Sequence, residues 1–236
     1  MMKFPKTNSL RCQIFFFSGI MTCVLIVLLG ISLKKSFKLY EISEDYVLKN
    51  EITNHLNTAT IWQAVERGYG ATIIGSGEGD SAPFFTNFLE AATKGDAEVI
   101  QADKKMKILL STRKNEAFEN KIYSWLLGYG DLIDARPRIV HKNISKYEWL
   151  EIATHNINNE FDLRNITFTP QTIDEKILCL NNVLLPKITE LCEYAGLERA
   201  LISNAIASGE SISNETMNSI KHYRSIVKQS IVQIQL

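Results

Sequence analysis

The sequence predicts an all-α protein, an N-terminal transmembrane helix followed by two antiparallel, four-helix-bundle-like helical bundles. Three observations predict it. Residues 14–33, IFFFSGIMTCVLIVLLGISL, run for twenty positions without a charge. At about 1.5 Å per residue they span the roughly 30 Å hydrocarbon core of a bilayer. Beyond them apolar residues recur at helical spacing, the five prolines and twelve glycines fall mostly between the periodic runs, and no stretch sustains period-two alternation.

The elements follow in order. A cleaved signal peptide would carry an apolar region of only ~7–15 residues before a small-residue cleavage site. This run is longer and is followed by Lys34-Lys35, so it reads as an uncleaved anchor. Lys3, Lys6 and Arg11 precede it and Lys34, Lys35 and Lys38 follow, a tie, so the positive-inside rule does not fix the orientation. The anchor with its tail covers residues 1–38, and the ligand-binding domain residues 39–236. Leu39 to about Ile74 is a long helical pattern without proline, ended by the breaker Ser76-Gly-Glu-Gly-Asp-Ser-Ala-Pro83. Helices are expected over about Phe84–Leu110 and about Glu116–His141, the second interrupted or bent at Gly128 and Gly130 and kinked or restarted at Pro137. Ser145-Lys-Tyr-Glu148 is a capping box opening a helix to about Leu163. Thr169-Pro170 resembles a cap with proline in the first turn, opening a helix that carries Ile173, Ile177, Leu180 and Leu184 and passes a kink at Pro186. A second breaker, Ala207–Ser213, precedes a last helix from about Asn214. The pattern is still running at Leu236, so the natural protein is expected to continue.

Charge narrows the function classes. Residues 1–38 hold six basic and no acidic residues, leaving 20 basic against 26 acidic in the remainder, a net of −6. Such a domain is a poor partner for a phosphate backbone, so no nucleic acid is expected. Cys12 and Cys23 lie in or beside the span. Cys179 and Cys192 are thirteen positions apart, about 20 Å along a continuous helix, too far to pair. Neither a disulfide framework nor a metal site is indicated, and no cofactor motif is present. The chain carries none of the common hydrolase, zincin or phosphate-loop signatures, so no catalytic residue is assigned and an enzyme is not expected. His55, His155 and His222 are isolated, and Arg136, Arg138 and His141 read as a solvated helix end, with Arg138 the alternative lining of an anion site. Tyr123, Trp125 and Tyr129 read as core.

One internal repeat stands out. Glu66–Glu78, ERGYGATIIGSGE, returns 132 positions later as Glu198–Glu210, ERALISNAIASGE, with six of thirteen positions identical. On a helix Ala64, Gly68, Ala71 and Gly75 form a stripe of small residues, matched by Gly196, Ala200, Ser203 and Ala207. Such stripes let helices approach more closely than the usual 8–10 Å or so. Neither Arg67 nor Arg199 has an acid three or four positions away, so each needs a partner from another helix, from solvent or from an outside anion. A guanidinium suits a small planar oxyanion, because its flat fork donates two parallel hydrogen bonds. The plainer alternative is a duplicated packing helix whose arginines pair with interhelical acids such as Glu66 and Glu198.

The stretch IWQAVERGYGATIIGSG resembles the signature that opens the nitrate- and nitrite-sensing (NIT) domain, and YAGLERALISNAIASGESIS resembles that family's second hallmark helix. The resemblance covers about residue 50 onward, is weakest over residues 114–170, and departs from the family at Tyr69-Gly70. It implies two four-helix bundles that sense a small anion outside the cytoplasm, as in a homodimeric chemoreceptor or sensor kinase of the inner membrane. Its ligand arginines carry over to Arg67 and Arg199, with Gln63 beside them, and its ligand class is nitrate or nitrite. The competing class is a helical interaction or dimerisation module without a small-molecule ligand.

Overall fold

The computed structural model describes residues 10–112, 115–167, 183–209 and 211–235, with side chains from Ile14 onward. Among these residues there is no strand, and six helices account for nearly all of the chain: α1 (Leu10–Ser76), α2 (Phe85–Thr112), α3 (Glu116–Val140), α4 (Lys146–Thr167), α5 (Leu185–Ser208) and α6 (Asn214–Ile234). A 3-10 turn at Gly79–Ser81 lies between α1 and α2. The helix expected from Thr169-Pro170 through Ile173 to Leu180 lies outside the described residues.

The chain divides into two compact units, Met1–Val47 and Leu48–Leu236. The first unit contains a helix long and apolar enough to cross a membrane. Its side chains from Phe15 to Leu33 are exposed, as an apolar stretch without protein neighbours must be.

Helix ends in the second unit follow local chemistry. Gly77 and Gly79 adopt φ of 66° and 63°, which breaks α1 where the glycine-rich segment predicts. Asn115 caps α3 by accepting from the Phe118 amide at 3.1 Å, and Ser213 caps α6 by accepting from the Thr216 amide at 3.2 Å. Ser145 does the same for α4, accepting from the Glu148 amide at 3.2 Å. The return half of that capping box is not made, because the Glu148 carboxylate pairs with Arg138. α3 is neither interrupted at Gly128 and Gly130 nor restarted at Pro137. Pro137 lacks one N–H and so forfeits one ladder bond, while its own carbonyl still accepts from His141 at 3.0 Å. Gly128 is a packing device, since a Cβ there would lie 2.8 Å from the Asn159 amide nitrogen of α4.

The expected pair of bundles is built from shared helices. One core joins Ile52, Leu56 and Ala59 of α1 to Val99 and Met106 of α2, Phe118 and Trp125 of α3, and Leu163 of α4. The other continues along the same four helices through Ala71, Phe88, Leu132 and Trp149, and adds Ala200 and Leu201 of α5 and Ile220 of α6. Tyr123, expected in the core, is exposed, because α3 turns its neighbours Ile122 and Trp125 inward. Both core tryptophans are fully buried, and each indole N–H is satisfied: Trp149 donates to the Arg67 carbonyl at 2.9 Å and Trp125 to Glu160 at 3.2 Å.

The small-residue stripe of α1 does two different jobs. At Ala71 and Gly75 it admits α5: the Asn204 amide donates to the Ala71 carbonyl at 2.7 Å, and a Cβ on Gly75 would lie 2.4 Å from the Asn204 carbonyl oxygen. At Gly68 there is nothing within 4 Å. The same substitution should therefore have opposite signs at the two glycines. Gly68→Ala is expected to raise stability by up to about 1 kcal/mol through helix propensity alone. Gly75→Ala is expected to lower it by about 1–3 kcal/mol, because backbone would have to move. Paired thermal unfolding of the two variants checks this, and equal signs would mean that α5 does not approach α1 at Gly75.

Candidate functional site

Helical spacing turns Thr60, Gln63 and Arg67 onto one face of α1, and that face points inward. All three are buried, as is Glu66. A bundle helix that buries four polar residues within two turns must satisfy them from its neighbours, and three linked groups of side chains do so.

The first group centres on Glu160 of α4, which has no exposed surface. Its carboxyl accepts from Thr60 at 2.9 Å, from the Gln63 amide at 2.8 Å and from the Trp125 indole at 3.2 Å. Asn156 donates to the other end of the Gln63 amide at 2.6 Å. Every one of these donors is neutral. Burial pushes the Glu160 carboxyl up to about 7, against the opposing pull of its hydrogen bonds. The Thr60 hydroxyl also lies 2.8 Å from the Leu56 carbonyl, and a hydroxyl has one proton. A protonated Glu160 resolves that competition: it donates to Thr60, which donates to Leu56.

The second group is Arg67, fully buried, whose guanidinium forks onto the Glu193 carboxylate of α5. One nitrogen also donates to Thr154 at 2.8 Å, and the second reaches the other Glu193 oxygen at 3.1 Å. Gly196 makes room for it, since a Cβ there would sit 2.9 Å from the Arg67 terminal nitrogen. Gly70, one turn along α1, similarly makes room for the Trp149 ring, 2.5 Å from where its Cβ would stand.

The third group is a charge cluster around Arg136. This guanidinium clamps Glu66 at 2.7 and 3.0 Å and Asp96 at 2.8 Å through both oxygens, while Tyr129 donates to Asp96 at 2.7 Å. Arg136 therefore does not belong to a solvated helix end, because α3 turns it inward between two carboxylates. Burial raises the Glu66 carboxyl above its ordinary range, and Arg136 pulls the other way. Arg138, by contrast, does lie at the surface and pairs with Glu148.

The structure does not bring Arg67 and Arg199 onto one pocket. On α5, Glu193, Ala200 and Asn204 face α1, whereas Arg199 shares a stripe with Ser203 and Ile206 on another side. Arg199 is exposed and lines a groove of about 470 Å³ with Val65, Tyr69, Phe84 and Ile206. Gln63 lies one helical turn from Arg67, but its amide is committed to Glu160 and Asn156. The acids next to the two arginines have partners of their own: Glu66 pairs with Arg136, and Glu198 pairs with Arg224 of α6 at 2.8 Å.

Sequence reasoning missed Glu160, Glu193, Asp96 and the inward role of Arg136. One signal was available: Ala153, Ile157, Glu160 and Arg164 share a spacing of four, three and four, which puts a carboxylate and a guanidinium on an otherwise apolar stripe of α4. Comparison with family models, curated proteins and solved structures yields no match for the chain.

Proposed function

We propose that this chain is a membrane-anchored sensory module that reversibly binds a small planar oxyanion, nitrate or nitrite, at Arg67. The observation that carries the reading is the form of the Arg67–Glu193 contact. A buried guanidinium holds a planar, singly charged carboxylate from another helix through two nitrogens. Nitrate and nitrite have the same charge and the same flat array of acceptors, so either can take the carboxylate's place without leaving Arg67 unpaired. Glu193 is then an internal competitor that lets go of α1 when the anion arrives, and Thr154 keeps its bond to the guanidinium throughout. Arg199 stays outside that exchange, on the groove face of α5.

Release of Glu193 loosens α5 from α1, which is the element present in both compact units and so the route by which the change reaches the membrane span. A ligand shifts such an equilibrium only by its differential affinity for the two states, and here the anion meets Arg67 only in the state in which Glu193 has let go. The resemblance of the two Glu-Arg stretches to NIT domains supports the ligand class. It also supports an extracytoplasmic placement of the domain in an inner-membrane, homodimeric chemoreceptor or sensor kinase. The second reading is a helical interaction module, favoured by the protein counter-ions that Arg67, Glu66 and Glu198 already have.

Thermal unfolding of the full chain in detergent micelles, titrated with nitrate, nitrite and chloride, separates the two. Nitrate or nitrite at ~100 times its dissociation constant should add about 2.7 kcal/mol, and chloride should add nothing saturable. Glu193→Gln, which removes the competing charge, is expected to tighten anion binding roughly tenfold, an effect of about 1.4 kcal/mol, whereas Arg67→Met abolishes it. Absence of any saturable shift in both the parent and Glu193→Gln would leave the interaction module standing.

A further inference from the structure

A second arginine is buried, and among the described residues this one has no counter-ion. Arg164, on α4, retains 5% of its surface, and its hydrogen-bond partners are all neutral: Asn57 at 3.1 Å, Asn165 at 3.3 Å and Thr189 at 3.2 Å. Its Nε is buried with no acceptor at all. Among the described residues no carboxylate pairs with it, and burial alone draws its pKa below the ordinary arginine value. A guanidinium nonetheless remains charged in a protein, so among the described residues this cation is uncompensated. Holding one costs several kcal/mol unless an anion completes the site.

The surroundings say what kind of anion. Arg164 lines a pocket of about 310 Å³ together with Asn158, Phe161, Asn165, Pro186 and Thr189. That volume is within the range of small-molecule sites. The Phe161 ring lies under the guanidinium, 5.1 Å from its centre, and with Pro186 supplies an apolar wall. The other charges in the pocket cancel: Lys187 pairs with Glu190 at 2.8 Å, and Glu193 is held by Arg67. What is left over among the described residues is one positive charge, several amide and hydroxyl groups, and an apolar wall.

We infer that this pocket is a binding site for a small organic carboxylate, whose carboxylate meets Arg164 and whose short apolar body lies against Phe161 and Pro186. Glu193, which Arg67 holds, belongs to the same lining, and nothing in the inference depends on nitrate sensing. A bare inorganic anion would satisfy the charge but leave the apolar wall unused, whereas a neutral molecule would leave Arg164 uncompensated.

The test titrates the full chain in detergent micelles with sodium propionate and sodium benzoate, and with propionamide and benzamide as uncharged counterparts. At least one carboxylate is expected to raise the unfolding midpoint saturably while its amide does not. Arg164→Gln should weaken that binding by roughly tenfold or more, the loss of a charge-assisted hydrogen bond. Asn158→Trp, at an exposed position on the rim, should block entry while leaving the unliganded midpoint close to that of the parent; it carries the test if Arg164→Gln does not fold. The double variant Arg67→Met/Glu193→Gln, which removes that pair without freeing a charge in the pocket, should bind the carboxylate as the parent does, which keeps this site distinguishable from the proposed nitrate site. The inference is overturned if neither carboxylate stabilises the protein, if the amides do so equally, if Asn158→Trp binds as the parent does, or if the Arg67→Met/Glu193→Gln double variant loses binding.

Discussion

Replacing Arg136 by methionine is expected to lower the stability of the protein by about 3–5 kcal/mol, because it takes the shared cation from two carboxylates at once. Methionine keeps most of the apolar stem, so the loss is of the charged fork rather than of packing volume. Glu66, which has no exposed surface, is then left without a cation, and Asp96 keeps only the Tyr129 hydroxyl. The magnitude rests on Glu66, because Asp96 retains 30% of its side-chain surface and solvent can screen it. The deficit should also depend on pH in a fixed direction. Burial already favours the neutral form of Glu66, and removing Arg136 favours it further. The variant therefore recovers part of its stability as the pH falls and Glu66 takes up a proton. Arg136→Lys should lie between the two, because an ammonium keeps the charge but cannot present a planar fork to both carboxylates. Urea unfolding at pH 8 and pH 5 measures all of this, and a pH-independent deficit below ~1 kcal/mol would show that Glu66 is not held by Arg136.

Glu160→Gln is expected to remove a pH dependence that the parent protein shows. The folded-state pKa of Glu160 is raised from the ordinary value of 4.5 up to about 7. The folded state thus holds its proton over a range where the unfolded state has released it, and stability falls as pH rises. The contribution is fully present below about pH 4.5, declines from there through about pH 7, and is gone above it. At about 1.4 kcal/mol per pH unit the loss is at most about 3 kcal/mol. Glutamine is neutral at every pH, still accepts from Gln63 and Trp125 through its carbonyl, and can donate to Thr60 through its amide. The variant should match the parent near pH 4.5 and exceed it at pH 8. If the difference between the two is the same at both ends of that window, Glu160 does not titrate within it.

Much of the architecture is legible in the chain itself. Helix ends are readable because their causes are local: Gly77 and Gly79 break α1, and Ser145 and Ser213 cap α4 and α6 within three residues of the amides they serve. The restart expected at Pro137 does not occur, and α3 runs through it to Val140. The candidate site is legible only on one side. That Arg67 lies on a helix with Gln63 and has no acid within reach on its own helix follows from spacing. That its partner is Glu193 does not, since 126 positions separate them.

The sequence by itself determined which of the described segments are helical, where most of them stop, that one of them can cross a membrane, and which faces carry small or polar residues. All of these depend on interactions over a few residues, where backbone geometry is nearly the same in every protein. Only the tertiary structure decided which charge meets which: Arg67 with Glu193 rather than with an anion shared with Arg199, Glu66 with Arg136, Glu160 with neutral donors, and Arg164 with no acid among the described residues. A helix fixes the direction of a side chain relative to its own axis. What that side chain meets depends on the rotation of the neighbouring helix: Ala200 of α5 faces α1, and Arg199, one residue earlier, is turned out to the groove.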